Sequence, residues 1–398
     1  MRTVSFTTES YLPLLDAWHR ISADALPRLT DIVCADDVSF QRASARAGLR
    51  AHRLTTDIAG HGFHRRRRGF WLARFDALRE FLDDDDLIHT DLDAFWLRDP
   101  VPRLADIDAD LVFSIEYGLP KDIVDRWGFV LCCGFFAARS TPTTKAFFDR
   151  WRAAVAEHED DQKAINYLLA EMGVAWEEPT AGGDVLRLGT VHVDGKLMRV
   201  AALRESAVRR SAPIDLAAGQ LVFHPFFDKV TLAGSFQIYA HLATGPLPAL
   251  TESDVDAMCA RYGVHGLKGR NRADLCLLDH LISGGADHPD LLAQQGWILN
   301  TGGAPAAALD VVEPVFRGGD PGDSAMTVAA VVVCDAASHL GSSDLATEAA
   351  RFLARHGDAG QLWRRRIFDL LLEQRHFAAA ARYGTRAAWQ HARSELGR

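Results

Sequence analysis

The chain has 398 residues, of which 48% are hydrophobic and 24% are charged, a composition typical of soluble globular proteins. Two domains are the default expectation, because this length exceeds the usual size of one domain. The formal net charge of −9 argues against a general nucleic-acid-binding protein, since such proteins carry a large basic excess.

Three further features bear on the compartment in which the protein works. The six cysteines form no CxxC pair, which is typical of buried apolar cysteines in a reducing compartment. Arg2 is followed at once by a strand-like stretch instead of a targeting segment. The longest apolar run, 327–334, is far shorter than the ~20 residues that a membrane helix needs. We therefore expect a cytoplasmic protein without a membrane span.

Short apolar runs alternate with amphipathic stretches through the first half of the chain. This pattern predicts an α/β sheet built from βα units. The predicted strands are 3–7, 31–34, 49–54, 87–90, 110–115, 129–138, 185–193, 197–202 and 220–223. The predicted helices, in which apolar residues recur at helical spacing, are 11–21, 70–82, 141–156 and 160–172.

The composition changes around 245–248, and we place a domain boundary at residue 248. The second domain, 249–398, is rich in alanine and leucine and is predicted to consist of α-helical hairpins. Its small and large residues resemble a tetratricopeptide helix pair in their spacing: Gly296, Leu299, Gly303, Ala308 and Val312, within a Pro289-to-Pro321 interval. Further helical pairs are predicted within 329–356 and 362–393.

The most informative segment runs from Leu87 to Pro100. A predicted buried strand ends there and is followed by Asp91 and Asp93. Residues two apart on an extended chain point the same way, so both carboxylates can converge on one cation. Carboxylate oxygens suit Mg²⁺ or Mn²⁺, and such a cation can neutralise a diphosphate. Taken alone, this DxD sequence is also compatible with a solvated pair of aspartates in a turn.

The segment resembles the DxD core of the nucleotide-diphospho-sugar transferase family, a group of glycosyltransferases with the GT-A fold. Other stretches resemble elements of that family in the family's order: Thr7-Thr8-Glu9, 70–74, 133–139, Asp161-Gln162 and 222–224. The resemblance covers residues 1–235. Cys132-Cys133 and Pro225-Phe226 depart from the family pattern, and these departures bear on the identity of the donor sugar.

The resemblance implies a GT-A-type nucleotide-sugar-binding domain and a metal-dependent glycosyltransferase, with UDP as the preferred nucleotide and Mn²⁺ (or Mg²⁺) as the cation. It implies three metal ligands: Asp91, Asp93 and His224. The residues that would contact the nucleotide or its diphosphate are Thr7, Thr8, Arg74, Asp91 and Gly134. Those beside the donor sugar, the predicted catalytic pair, are Asp161 and Gln162.

The predicted stereochemistry follows from the neighbours of the donor sugar. An inverting transferase needs a base to deprotonate the acceptor hydroxyl, whereas in a retaining one the leaving diphosphate can take that proton. Gln162 is neutral and cannot act as a strong base, so we expect retention of configuration. If the reaction inverts, the first candidate bases are Glu116 and Asp228.

Two other functions remain open. A haloacid-dehalogenase-type phosphatase also uses a strand that ends in DxD, with a nucleophilic aspartate. That family has Thr or Val two residues after the second aspartate, whereas this chain has Phe95 there. The second alternative is a non-catalytic helical-repeat protein with a degenerate transferase domain. The acceptor (a saccharide, lipid head group, peptide or small metabolite) is also open, and the helical domain would serve a protein partner or self-association.

Several charged segments are predicted to have structural roles. The basic run His64–Arg68 is interpreted as a solvated loop, with a flexible lid that attracts the anionic donor as the alternative. The acidic run Asp83–Asp86 is interpreted as a loop after a helix. His89, Arg98 and Asp99 are interpreted as structural residues.

Overall fold

The structure is a computed structural model that describes residues 1–27, 29–54, 63–179, 183–210, 214, 220–224, 238, 240–242, 248–267, 270–320, 324–356, 367 and 369–371; for 63–68, 270 and 324 it describes the backbone alone. The chain divides into two compact units. The first comprises Met1–Arg210 and Leu216–Pro225, and the second Ser211–Asp215 and Phe226–Arg398. The first unit thus ends earlier than residue 248, and the boundary at 248 stays a prediction.

The first unit is built on strands β1 (Arg2–Thr7), β2 (Thr30–Cys34), β3 (Leu49–Arg53), β4 (Leu87–Thr90), β5 (Phe95–Trp96), β6 (Leu111–Glu116), β7 (Val130–Ala138), β8 (Ala175–Glu177), β9 (Val185–Val193), β10 (Lys196–Leu203), β11 (Val208–Arg209) and β12 (Val222–Phe223). Nine of them form one mixed sheet in the order β3-β2-β1-β4-β7-β6-β10-β9-β8. β7 is antiparallel to both β4 and β6. β4 and β6 therefore run in the same direction and end at the same edge of the sheet.

The helices of this unit are α1 (Leu12–Ile21), α2 (Asp37–Ser44), α3 (Phe63–Asp84), α4 (Val101–Ala105), α5 (Lys121–Trp127), α6 (Pro142–His158) and α7 (Asp161–Glu171). Local capping defines the starts of two of them. The Thr141 hydroxyl accepts from the Thr144 N–H at the start of α6, and the Asp160 carboxylate accepts from the Lys163 N–H at the start of α7. The position of Asp161 is thereby fixed at the first turn of a helix.

Two apolar clusters lie on the two faces of the large sheet. Successive residues of a strand point to opposite faces. Accordingly, Leu87 belongs to one cluster with Phe75 and Trp151, whereas Ile88 belongs to the other with Trp96. Burial on both faces fixes the register of β4, and with it the position of the residues that follow this strand.

Two interpretations of charged segments are wrong. The backbone of 64–68 is part of α3, so the basic run is not a loop, while its alternative role as a lid that attracts the donor stays a prediction. Asp83 and Asp84 are the last residues of the same helix. Arginine has a high helix propensity and no proline interrupts 63–84, so the helix extends beyond the apolar pattern that predicted it.

The second unit contains helices α8 (Glu252–Tyr262), α9 (Arg270–Ser283), α10 (Pro289–Thr301), α11 (Pro305–Gly318), α12 (Ser324–His339) and α13 (Ser343–His356). A Cβ added at Gly296 of α10 would lie 2.1 Å from Cγ1 of Val312 in α11, so this glycine permits close packing of the pair. The predicted fold class, an α/β sheet domain followed by α-helical hairpins, is confirmed. The tetratricopeptide resemblance stays a prediction, and Pro321 and most of 362–393 lie outside the described residues.

Within the described part of the chain, no helix is both long enough and apolar enough to cross a membrane.

Candidate active site

The candidate site begins where β4 ends. The backbone N–H of Asp91 donates to the carbonyl of Gly134 at 2.7 Å, which continues the β4–β7 pairing by one residue. Four residues after Asp91 the chain enters β5, which pairs antiparallel with β12 through Phe95 opposite Phe223. His224 directly follows Phe223, so this short pairing brings the imidazole beside the DxD segment.

Asp91, Asp93 and His224 form a compact cluster in which one ligand atom from each residue lies within 4.8 Å of the others. His224 Nε2 is 3.2 Å from Asp93 Oδ1. His224 is buried and both aspartates are partly buried. Two carboxylates and an imidazole are a suitable donor set for a divalent transition metal such as Mn²⁺.

Gly134 is required for this cluster to fit. A Cβ at this position would lie 2.1 Å from Cε1 of His224 and 3.0 Å from Oδ2 of Asp91. Every other amino acid would therefore displace the imidazole or the carboxylate. The resemblance places Gly134 beside the nucleotide, and the structure adds a steric reason for glycine there.

Arg74 of α3 joins two carboxylates of the site. Its guanidinium is 3.6 Å from Asp91 Oδ1 and 3.3 Å from Asp161 Oδ2, and the residue is only 3% exposed. Burial alone would raise the pKa of Asp91, but Arg74 and His89 hold it well below its ordinary value. Burial dominates at Asp161, whose pKa is raised to about 6 even though Arg74 lowers it.

His89 belongs to this group, although it was interpreted only as a structural residue. Its Nε2 lies 3.1 Å from Asp91 Oδ1 and contacts the guanidinium of Arg74. Burial and the charge of Arg74 lower the pKa of His89 to about 4, so the imidazole is neutral at neutral pH. His89 follows the alternation of β4 and points to the same side as Asp91, which was a usable sequence signal.

On the other side of the cluster lies Arg210, which the sequence analysis missed. Its guanidinium contacts Nδ1 of His224 and donates to Glu116 Oε2 at 3.2 Å. Burial and Arg210 would lower the pKa of His224, but Asp93 and the thiol of Cys132 raise it to about 9. A proton and a metal ion therefore compete for this imidazole.

The other predicted site residues lie at the same edge of the sheet or close to it. Thr7 is the last residue of β1, the strand beside β4, and Thr8 follows it; the Thr7 hydroxyl donates to the Thr8 carbonyl at 3.3 Å. Gln162 follows Asp161 on α7, and its Nε2 donates to the carbonyl of Leu119 at 3.1 Å. Asp228 and Pro225-Phe226 lie outside the described residues.

Comparisons with known proteins match part of this chain to a family. The family described as nucleotide-diphospho-sugar transferase matches residues 28–195. No curated protein matches the chain.

Several solved structures are similar in part. The glycosyltransferase GlyE of Streptococcus pneumoniae TIGR4 matches at 12% identity with a TM-score of 0.38, over 60% of this chain and 60% of its own length. The galactosyltransferase LgtC, solved with donor and acceptor sugar analogues, matches at 15% identity and 0.33, over 52% and 75%. Mouse xyloside xylosyltransferase 1 matches at 9% identity and 0.33, over 52% and 87%. The match thus spans 60% of the length of GlyE.

The family match contains the DxD segment, Arg74, Gly134 and the Asp161-Gln162 pair, and it ends before His224. The chain is thus similar to nucleotide-diphospho-sugar transferases over residues 28–195, which is less than half of its length.

Proposed function

We propose that the protein moves a sugar from a nucleoside diphosphate, with UDP as first choice, to an acceptor hydroxyl in a reaction that depends on Mn²⁺ or Mg²⁺. The observation that carries this proposal is the cluster of Asp91, Asp93 and His224, which lies beside the Cβ-free position of Gly134. The cluster joins two carboxylates that lie two residues apart in the chain to an imidazole that follows the distant strand β12.

The residues fit the proposed cation. Carboxylate oxygens and an imidazole nitrogen converge within 4.8 Å, and Asp93 is the first choice for direct coordination. A bound divalent cation supplies positive charge that offsets the negative charge developing on the leaving diphosphate.

Each remaining residue has a proposed task. Arg74 holds Asp91 and Asp161 in a fixed relation, because it contacts both carboxylates from a buried position. Asp161 and Gln162 bind the donor sugar. Thr7 and Thr8, at the end of the strand beside β4, contact the nucleotide.

We further propose that the anomeric configuration of the donor is retained. Glu116 accepts from Arg210 and from the Leu119 N–H, and Asp161 is paired with Arg74, so these carboxylates are engaged in other contacts. Gln162 is neutral, and the leaving diphosphate would accept the acceptor proton. NMR of the first product formed tests this, and an inverted anomeric centre would contradict it.

The proposed reaction is tested by incubating the full chain with UDP-sugars and Mn²⁺, with and without EDTA. We expect release of UDP that stops when the cation is chelated. Release of phosphate from a generic aryl phosphate would favour the phosphatase instead, although the family match favours the transferase. A chain that binds no nucleoside diphosphate would favour the non-catalytic alternative.

For the domains, we propose that 1–248 is the transferase domain and that 249–398 selects the acceptor or mediates self-association. Paired helices typically present an extended face for binding. A chain shortened to residue 248 should still bind UDP with Mn²⁺, because every proposed donor contact precedes that point. If the shortened chain folds but does not bind the nucleotide, this division is wrong.

A further inference from the structure

The loop between β6 and α5 exposes two large apolar side chains. Tyr117 is 53% exposed and Leu119 is 62% exposed, and only Gly118 separates them. The other exposed large apolar residues described in the first unit are scattered singly: Tyr11, Leu29, Val38 and Leu197. Single exposed apolar residues need no explanation, whereas a pair next to a candidate active site does.

Polar contacts hold this loop between the two sides of the site. On the cation side, the Leu119 N–H donates to Glu116 Oε1 at 3.4 Å, and Glu116 Oε2 accepts from Arg210, which contacts His224. On the sugar side, Gln162 Nε2 donates to the Leu119 carbonyl at 3.1 Å. The backbone of Leu119 is thus linked to both groups of residues.

Gly118 lets the loop turn closely over Glu116. A Cβ there would lie 2.9 Å from Glu116 Oε1, the same oxygen that the Leu119 N–H approaches. The turn therefore holds Tyr117 and Leu119 at the rim of the site in a defined arrangement.

We propose that Tyr117 and Leu119 form the acceptor subsite and that the acceptor is a saccharide; this rests on the proposed function. The C–H face of a pyranose ring packs on an aromatic ring, and hydroxyl groups at its edge need polar partners. The loop offers both, because the tyrosine ring and the leucine follow directly on Glu116, whose carboxylate has lone pairs beyond those used by Arg210 and the Leu119 N–H. Ligand sites commonly combine apolar surfaces with a few such polar groups.

The same surroundings disfavour the other acceptor classes. One tyrosine and one leucine can cover a sugar ring or two, whereas a lipid chain needs a longer continuous apolar surface. Burial and the carboxylate of Glu205 both raise the pKa of Tyr117, which indicates that negative charge lies close to the ring. An anionic lipid head group would be repelled there.

The test measures transfer by the full chain from the best UDP-sugar to a panel of p-nitrophenyl hexopyranosides, with a serine-containing peptide and dispersed diacylglycerol as other acceptors. Loss of the ring in Tyr117→Ala should raise the half-saturating glycoside concentration about 5- to 10-fold, because an aromatic contact of this kind contributes up to roughly one tenfold step in affinity. Leu119→Ala should raise it less. Tyr117→Phe should stay close to wild type, and UDP with Mn²⁺ should still raise the Tm of all three variants.

Leu197→Ala is the matched control, because Leu197 is 56% exposed and lies on β10 outside the loop; it should leave the half-saturating concentration unchanged. Equal half-saturation in wild type, Tyr117→Ala and Leu119→Ala would overturn the acceptor subsite alone. So would a wild-type chain that uses the peptide or the diacylglycerol but no glycoside. If UDP with Mn²⁺ fails to raise the Tm of wild type, the proposed function fails and the subsite fails with it.

Discussion

Aspartates at the two ends of the parallel strands in the large sheet have opposite electrostatic surroundings. At the starting end, Asp31 of β2 is almost fully buried and is surrounded by basic groups. Arg50 contacts its two oxygens at 2.5 and 2.9 Å, His52 lies at 2.6 Å and Arg2 at 3.3 Å. The acidic group there is outnumbered by its basic partners.

At the terminal end the balance is reversed. Four carboxylates approach two guanidinium groups and two imidazoles; the acidic residues are Asp91, Asp93, Glu116 and Asp161, and the basic ones are Arg74, Arg210, His89 and His224. Since the pKa of His89 is lowered to about 4, this imidazole is neutral, and four carboxylates face at most three positive charges. An excess of carboxylates raises the electrostatic free energy of the folded state unless a cation binds. The starting end thus contributes to stability, whereas we propose that the terminal end binds a cation.

The largest expected effect is on transfer by Asp93→Asn. The substitution keeps the size of the side chain and removes a full negative charge from the proposed metal site. We expect transfer to fall about 10²–10³-fold, with the fold intact, because the amide that replaces the carboxylate can still hydrogen-bond to His224. Steady-state kinetics with UDP-sugar and a thermal melt of the same preparation measure both. Near-normal turnover would contradict the proposed role of the cluster.

Gly134→Ala should have the next largest effect. The added methyl group would lie 2.1 Å from His224 Cε1 and must displace the imidazole from the carboxylates. We expect transfer to fall about 10- to 100-fold, with weaker binding of Mn²⁺, since displaced ligating groups lose affinity on this scale. Isothermal titration with Mn²⁺ checks the binding. Gly266→Ala is the control because a Cβ there meets nothing within 4 Å. Unchanged Mn²⁺ affinity in Gly134→Ala would show that His224 is not a ligand.

Asp31→Asn should change stability and leave the site intact. We expect the free energy of unfolding to fall by about 1–3 kcal/mol, because the basic partners are partly exposed and can regain water. UDP affinity should stay at the wild-type value. The more exposed Asp16, which pairs with Arg42 and Arg46, is the control, and Asp16→Asn should cost about 0.5 kcal/mol or less. Urea denaturation measures the free energy of unfolding of both variants. Equal losses in Asp31→Asn and Asp16→Asn would contradict the larger stabilising role of Asp31.

The stabilising effect of Asp31 should also depend on pH. Burial would raise the pKa of Asp31, but Arg50, His52 and Arg2 together lower it below the ordinary value. Such a group stabilises the folded state fully above its unfolded-state pKa of about 4, and this stabilisation disappears as the pH falls through the folded-state pKa. The difference between wild type and Asp31→Asn should therefore be constant above pH 5 and shrink in more acidic solution. A difference that grows on acidification would contradict this assignment.

Parts of the fold and of the site could be predicted from the sequence because their signals are local. The strand before Asp91 carries an apolar run, and the two aspartates lie two residues apart. The pairing of β5 with β12 could not be predicted, since strands of two residues have no periodicity. His224 therefore entered the site only through the family resemblance.

The place of Arg210 in the site could not be predicted from the local sequence. Arg210 contacts Glu116, which is 94 residues away in the chain, and no pattern around 209–210 indicates this contact. The start of α3 was missed for a different reason, because the basic run carries helix propensity but no apolar face. Sequence patterns locate buried faces well, and ion pairs between distant segments poorly.

The proposed metal–nucleotide site is tested by the Tm of the full chain and of Asp93→Asn with UDP, GDP, CDP or dTDP, each with Mn²⁺ or with EDTA. A ligand at about 100 times its dissociation constant adds roughly 2.7 kcal/mol to the free energy of unfolding. We predict that UDP with Mn²⁺ gives the largest rise in wild type, that EDTA abolishes the rise, and that Asp93→Asn shows little or none. Equal rises for all four nucleotides, or a rise that persists in EDTA or in Asp93→Asn, would contradict a metal–nucleotide site at the terminal end of the sheet.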